Sequence, residues 1–474
     1  MSINEFDKII KRNPMHDRLI VCQDESRNRF DVNKPKIFDG KMYNDKPANY
    51  ELELIAFRSV IMPTNEFYRS SRKWLLKSTE YLRNNDFFNT KEIGIDEVIS
   101  RLSFLQIETQ IDYKILFYRY NYFFNYKTNN LDMNHEFIQK FNVEYKSFIK
   151  ISFLLSAWAT TEFYKMSTLE EYMNLIFDEN EKMAINHLKR KPDEFIEEYN
   201  ELNLGLDLSR NIFFDLNLLI KYPIVDYNEK MFIPYAPYIP YSCTRSLMFR
   251  LTNENNTLRE KIGKNVMEEY LKYISDNSLV TNSFNKISEF TYSKENKKSS
   301  DLIIHSDDKI VFIESKLFNQ SLKLRSFDEE AINSSYVRVA DAIIQILRNI
   351  VDMTNNEMNR IIKKYDLENT FGMVVLYDDF YFNLEMCFDL AFTKSKEKGY
   401  DFTKDYIKSS ISVFSLLQLE NNLNLYGGDI FQLLKKENLK SEESRLINYQ
   451  TVINELFLID KDEIESRIRK NRTM

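Results

Sequence analysis

Asp301, Glu314 and Lys316 are the residues of this 474-residue chain whose types and spacing best suit chemistry. They lie in SSDLIIHSDDKIVFIESKL, residues 299–317. Strand alternation in KIVFIESK puts Ile310, Phe312, Glu314 and Lys316 on one face and Val311, Ile313 and Ser315 on the other. The preceding run, DLIIHS, reads as the partner strand, with Asp307 and Asp308 as a two-residue hairpin loop. Ser306 then faces Lys309, and counting back along the ladder sets Asp301 opposite Glu314. Facing side chains in such a ladder approach within about 5 Å. Two carboxylates that close repel unless a cation sits between them, and hard oxygen ligands select Mg²⁺ or Mn²⁺. An ion held there binds a phosphodiester oxygen and lowers the pKa of a bound water, and a lysine positions that water or stabilises charge at phosphorus. The chemistry indicated is phosphodiester hydrolysis. The competing reading is an ordinary surface pair on a solvated hairpin. It leaves unexplained why two charges share a face with Ile310 and Phe312, which a packed helix should cover.

The elements around this stretch must position it. LREKIGKNVMEEYLKYISDNS predicts a helix over about 259–275, and the text from Phe284 to Leu317 predicts three strands. FDEEAINSSYVRVADAIIQILRNI reads as a long helix, FGMVVLYDD as a buried strand, and SSISVFSLLQLENNLNL as a strand running into a helix. The order is α-β-β-β-α-β with a further β and α. It predicts an α/β domain over 256–425, a mixed sheet with helices on its faces. Ahead of it, residues 1–60 are a mixed segment in which DKPANYELELIAFRSVIMPTN is expected to hold one strand. Residues 61–215 read as a mostly helical N-terminal domain, with TLEEYMNLIFDENEKMAINHLKR as an amphipathic helix. Residues 216–255 are a Pro/Tyr-rich connecting segment with two short strands around DYNEK, since its prolines bar regular helix. Residues 426–474 form a C-terminal helical segment.

Asp301, twelve intervening residues and then Glu314-Ser315-Lys316 resemble the Asp…(Asp/Glu)-x-Lys motif of the PD-(D/E)xK nuclease superfamily, over roughly residues 240–425. The resemblance implies a restriction-endonuclease-like fold with an αβββαβ core. It also implies Mg²⁺- or Mn²⁺-dependent cleavage of nucleic acid, with DNA as the expected substrate of an endonuclease. Asp301 and Glu314 would hold the metal and Lys316 would assist the attacking water. The family's leading helix often supplies another acid, and GKNVMEEYLKYI is similar to its G…FExYV pattern, which selects Glu268 as a further metal ligand. Helical periodicity votes differently. Ile262, Val266, Tyr270 and Tyr273 mark a buried stripe, and Glu269 lies nearer its edge, so both glutamates stand as catalytic candidates. Three departures are visible. Ser300 stands where the family often has proline. The glycine-to-glutamate spacing is one residue longer than the family pattern. The Gln-x3-Tyr of RecB-type relatives becomes Gln345 followed by Asn349, although Gln345 remains a candidate for contact with the site or with nucleic acid.

The remaining composition bounds the reading. Net charge is −7, which argues against a non-specific nucleic-acid coat and leaves room for a local basic cleft. Lys294, Lys297 and Lys298 before the motif, and Lys323 and Arg325 after it, are candidate phosphate contacts. The three cysteines lie far apart and the four histidines form no His-x3-His pair, so neither a zinc site nor a disulfide framework is expected. His305 reads as structural. The chain has no GxxxxGK loop, no membrane-length apolar run and no signal-peptide core at its N-terminus. These features predict a cytoplasmic protein with no membrane partner. A cytosolic nuclease must be restrained, and restriction or anti-phage defence fits that need by family analogy. The helical half is then a candidate surface for a partner protein or a second copy. A non-catalytic nucleic-acid-binding or protein-binding module on the same fold is the alternative.

Overall fold

The computed structural model describes residues 3–27, 47–63, 73–84, 113–160, 168–202, 217–253, 255–278, 284–318, 324, 328–425 and 430–435. The chain divides into two compact units between Asn255 and Asn256.

The described part of the first unit is mainly helical. Its apolar core is rich in rings. Phe124, Phe137, Phe141, Tyr145 and Phe148 meet at centroid distances of 4.4–5.8 Å. Asn49–Ile61 is a helix where the sequence predicts a strand. Leu52, Leu54, Ile55, Phe57, Val60 and Ile61 are all buried. The helix is buried nearly all round, Glu51, Arg58 and Ser59 included, so its sequence shows no 3.6-residue apolar stripe. The expected amphipathic helix at 169–186 is two helices, Leu169–Ile176 and Glu179–Asn186. Asp178 accepts from the backbone N–H of Glu181 and starts the second one, in a reciprocal capping box. In the Pro/Tyr-rich segment, Ile224–Tyr227 and Lys230–Phe232 pair antiparallel around Asn228 and Glu229 as expected. Both turn residues have positive φ, as a tight turn of matching twist requires. Against expectation, Ile239–Ser242 and Arg245–Thr252 in the same segment are helical. Pro240 falls in the first turn of the former, where its missing N–H costs nothing. No helix among the described residues is long and apolar enough to cross a membrane.

The second unit is a mixed α/β domain built on a five-stranded sheet. A helical stretch over 256–267 leads into α1 (Glu268–Ser278). The strands are β1 (Asn285–Ser288), β2 (Leu302–His305) and β3 (Ile310–Lys316). Then come α2 (Glu329–Thr354), β4 (Thr370–Leu376), α3 (Leu384–Glu397), α4 (Lys404–Ser410), β5 (Ile411–Ser415) and α5 (Leu416–Leu425). The spatial order is β5-β4-β3-β2-β1. β1, β2 and β3 form an antiparallel meander, and β3, β4 and β5 run parallel through helical crossovers. The predicted α-β-β-β-α-β order is present. One addition is a two-stranded hairpin, Thr291–Tyr292 with Lys297–Lys298, between β1 and β2.

β3 is central and buried along Ile310–Ser315, which explains its near-continuous apolar run. α2 starts at Asp328, whose side chain accepts from the N–H of Ala331, with Glu329 and Glu330 in the first turn. It lies over the sheet face of Phe312 and Gly372. A Cβ on Gly372 would stand 2.5 Å from Ile346 Cγ2, so only glycine lets α2 approach β4 this closely. On the other face, Phe371 packs its ring against Phe431.

Candidate functional site

The β2–β3 ladder has the register that a two-residue loop predicts. Ser306 N–H donates to Lys309 O at 2.9 Å, and the partners run from His305–Ile310 to Leu302–Ile313. The paired residues end there, and the register extended by one step puts Asp301 across from Glu314. Asp301 is anchored there, because its Oδ2 accepts from both Ser315 N–H and Ser315 Oγ at 2.7 Å. Its Oδ1 takes no hydrogen bond from the described residues.

Glu314 is only 7% exposed. Its Oε1 accepts from Lys316 Nζ at 2.7 Å, and the same ammonium donates to Gln345 Oε1 on α2 at 2.8 Å. Glu314, Lys316 and Gln345 thus share the face that α2 covers. Burial raises the Glu314 carboxyl to about 7, and the negative charge of Asp301 adds to the rise; Lys316 and Arg348 oppose it.

The two glutamates before Tyr270 are separated by a feature invisible in the sequence. Residues Ile262–Met267 form a π-helical turn. Such a turn holds one extra residue and rotates everything after it by about 100° relative to an unbroken α-helix. The buried side chains become Ile262, Val266, Met267, Tyr270, Leu271 and Ile274, and Tyr273 leaves the stripe. Glu269 turns outward and pairs with Lys272 at 2.6 Å. Glu268 is half-buried and has no hydrogen-bond partner among the described residues. Its carboxyl is raised to about 8, by burial first and then by the charges of Asp301 and Glu289. The extra residue between Gly263 and Glu268 is absorbed by the π turn. Gly263 itself packs against β3's exit, where an added Cβ would lie 3.3 Å from Leu317 Cβ.

Asp301 therefore acts electrostatically on both Glu314 and Glu268. Charges act over distances longer than the roughly 2.0–2.6 Å of hard-cation ligation. Among the described residues, no group of three or more His, Cys, Asp or Glu side chains is assembled to hold a metal. The donor set suits a hard divalent cation in chemistry. It is all oxygen and mutually repelling, and two of its members, Asp301 Oδ1 and Glu268, lack donors.

The expected phosphate contacts fall out differently. Lys297 and Lys298 sit on the small hairpin, and carboxylates already engage them. Lys297 pairs with Asp352 and Glu357 at 3.3 and 3.0 Å, and Lys298 with Glu289 at 3.0 Å. Lys294 is exposed at the hairpin turn. Lys323 and Arg325 lie outside the described residues. His305 Nδ1 meets Tyr365 OH at 3.0 Å, a structural contact beside the loop. Asp379, at the end of the β4 strand run, is taken up by Ser415 and Tyr381.

Sequence reasoning passed over Arg348 and Asp352, and took Ser300 and Asn349 only as departures from the family pattern. Arg348 donates to Lys298 O at 2.7 Å and Asn349 Nδ2 to Ser300 Oγ at 2.9 Å. Asp352 accepts from Tyr292 OH at 2.6 Å and from Lys297. A signal was available, because Gln345, Arg348, Asn349 and Asp352 fall at i, i+3, i+4 and i+7 within an apolar helix.

No family model, curated protein or solved structure matches the chain.

Proposed function

We propose that the second unit has a restriction-endonuclease-like fold and is a metal-dependent phosphodiesterase of the PD-(D/E)xK type, acting on DNA as an endonuclease. The observation that carries this reading is the juxtaposition of Asp301 and Glu314 across adjacent strands, with Lys316 beside Glu314 at the strand's end. The buried position of Glu314 supports it, because burying a carboxylate costs free energy that its pair with Lys316 offsets only in part. Asp301, Glu314 and Glu268 would hold a Mg²⁺ or Mn²⁺ ion, which when bound supplies a water of lowered pKa and neutralises phosphate charge. The chain's own groups do the rest. Ser315 holds the Asp301 carboxylate in place. Gln345 fixes the Lys316 ammonium, which orients the attacking water and offsets charge accumulating on the phosphate oxygens. Hydrolysis consumes one water, breaks one P–O bond and leaves a phosphomonoester and a hydroxyl.

Restriction or defence against phage in the cytoplasm follows from this reading by analogy, with the helical unit as the surface for a partner or a second copy. One observation favours the alternative of a non-catalytic binding module: Lys316 already occupies Glu314. The test is cleavage of plasmid and single-stranded DNA with Mg²⁺ or Mn²⁺, beside EDTA and Lys316→Ala controls. Cleavage abolished by both controls is expected. Activity that survives both would end the mechanism, and intact DNA across metals and substrates would favour the binding module.

A further inference from the structure

α2 carries four polar side chains on one stripe, each gripping a different part of the segment that delivers the carboxylates. Gln345 holds Lys316, Arg348 holds the backbone of Lys298, Asn349 holds Ser300, and Asp352 holds Tyr292 and Lys297. The stripe is unusual because its centre is dry. Asn349 and Ser300 are both 0% exposed, and Asp352 is 4% exposed. Buried amides and hydroxyls weaken a core unless their hydrogen bonds are satisfied. These are satisfied. The Asn349 amide nitrogen donates to Ser300 Oγ and to Gln345 O, both at 2.9 Å, and Tyr292 OH approaches its Oδ1 at 3.4 Å.

Ser300 immediately precedes Asp301. Proline at that position would restrict the backbone through its ring; serine does not. Asp301 stands one residue outside the β2–β3 pairs, with its carboxylate on Ser315 and its carbonyl accepting from Glu289 N–H at 3.1 Å. Those bonds hold Asp301 to the sheet; among the described residues, the side-chain bond that ties the preceding residue to α2 comes from Asn349.

We propose that Asn349 is a positioning residue that acts through Ser300 to hold Asp301 opposite Glu314, in place of a rigid proline. This rests on the proposed metal-dependent reading. It goes beyond it by assigning the site's geometry to a buried amide–hydroxyl pair that touches neither substrate nor metal. Groups that orient ligands from behind typically change metal affinity or activity by about 10- to 100-fold when removed.

The test uses the full chain and the variants Asn349→Leu, Ser300→Ala and their combination. The first readout needs no substrate. It is the Mn²⁺ concentration giving half-maximal protection of β2 and β3 amides from hydrogen exchange. The second is kcat and KM on plasmid DNA. Each single variant should raise the half-saturating Mn²⁺ by about 10- to 100-fold and lower kcat while leaving KM near wild type. The double variant should match the worse single one, because both act through one bond. Ser300→Ala removes a single oxygen, so it keeps the test open if Asn349→Leu misfolds. A Ser300→Ala protein with wild-type Mn²⁺ response and kcat overturns the inference while leaving the nuclease reading intact. Losses that add in the double variant also overturn it. A wild-type chain that shows neither Mn²⁺-dependent protection nor cleavage fails at the functional reading itself.

Discussion

Replacing Glu314 by glutamine should stabilise the metal-free second unit near pH 8 and change it little near pH 5. The carboxyl is 7% exposed and faces Asp301, and its pKa moves from 4.5 to about 7. A raised carboxyl pKa means that the native state holds a proton over a range where the unfolded chain has lost it. Stability therefore falls as pH rises from 4.5 through about 7, and the full penalty is present above that. The whole shift corresponds to about 3 kcal/mol, and the part lying between pH 5 and pH 8 to roughly 2–3 kcal/mol. Glutamine does not titrate, so the variant escapes this part. The pull of Lys316 on the charged form is already contained in that shift, so nothing further is subtracted for it. The expected difference between the two pH values is therefore about 2–3 kcal/mol. Glu268 titrates in both proteins, and because burial, then Asp301 and Glu289, raise it and Glu314 does not, its contribution cancels in the comparison. Tryptophan fluorescence is the wrong probe, since Trp74 and Trp158 are the chain's two tryptophans and both lie in the first unit. Hydrogen exchange of β3 amides in EDTA, corrected for intrinsic rates, reads the right unit. Equal protection differences at both pH values would show that Glu314 does not bear the buried charge conflict argued here.

Three other outcomes are expected. Gly372→Ala should destabilise the second unit by about 1–3 kcal/mol, because its Cβ would fall 2.5 Å from Ile346 Cγ2; adding Ile346→Ala should cost less than the sum of the two, and strict additivity in exchange protection would refute the contact. Glu268→Gln should raise the Mn²⁺ needed for half-maximal protection at least about 10-fold, whereas Glu269→Gln should leave it unchanged, since Glu269 is paired outward with Lys272; the reverse result would assign the helix acid to Glu269. In the first unit, burial and then Arg250 lower the His187 pKa below 6.5, so stability is complete above 6.5 and declines as pH falls through that value toward the depressed folded one. His187→Gln should flatten that decline in tryptophan-monitored unfolding, and an unchanged slope would place its origin elsewhere.

The order of elements in the second unit and the β2–β3 register were legible in the residues themselves. The reason is that strand alternation and a two-residue loop are local constraints, each set by neighbours in the chain. The register extended one step past Leu302–Ile313 puts Asp301 across from Glu314, and alternation along β3 alone puts Lys316 beside Glu314. The helix at 49–61 was not legible, because burial on all sides erases the periodic contrast on which the reading depends. Nor was the choice between Glu268 and Glu269. A π turn over Ile262–Met267 rephases the helix, and Gly263 within it packs against Leu317, 54 residues away in the chain. The fate of the hairpin lysines was likewise decided by tertiary structure, since Asp352 and Glu357, 55 and 60 residues away, are the groups that engage Lys297. The chain sequence thus determined which chemical groups exist and which strand neighbours meet. Only the folded packing of α2 and the leading helix decided which of them are oriented, buried and charged against one another, because those contacts join residues that no local pattern relates.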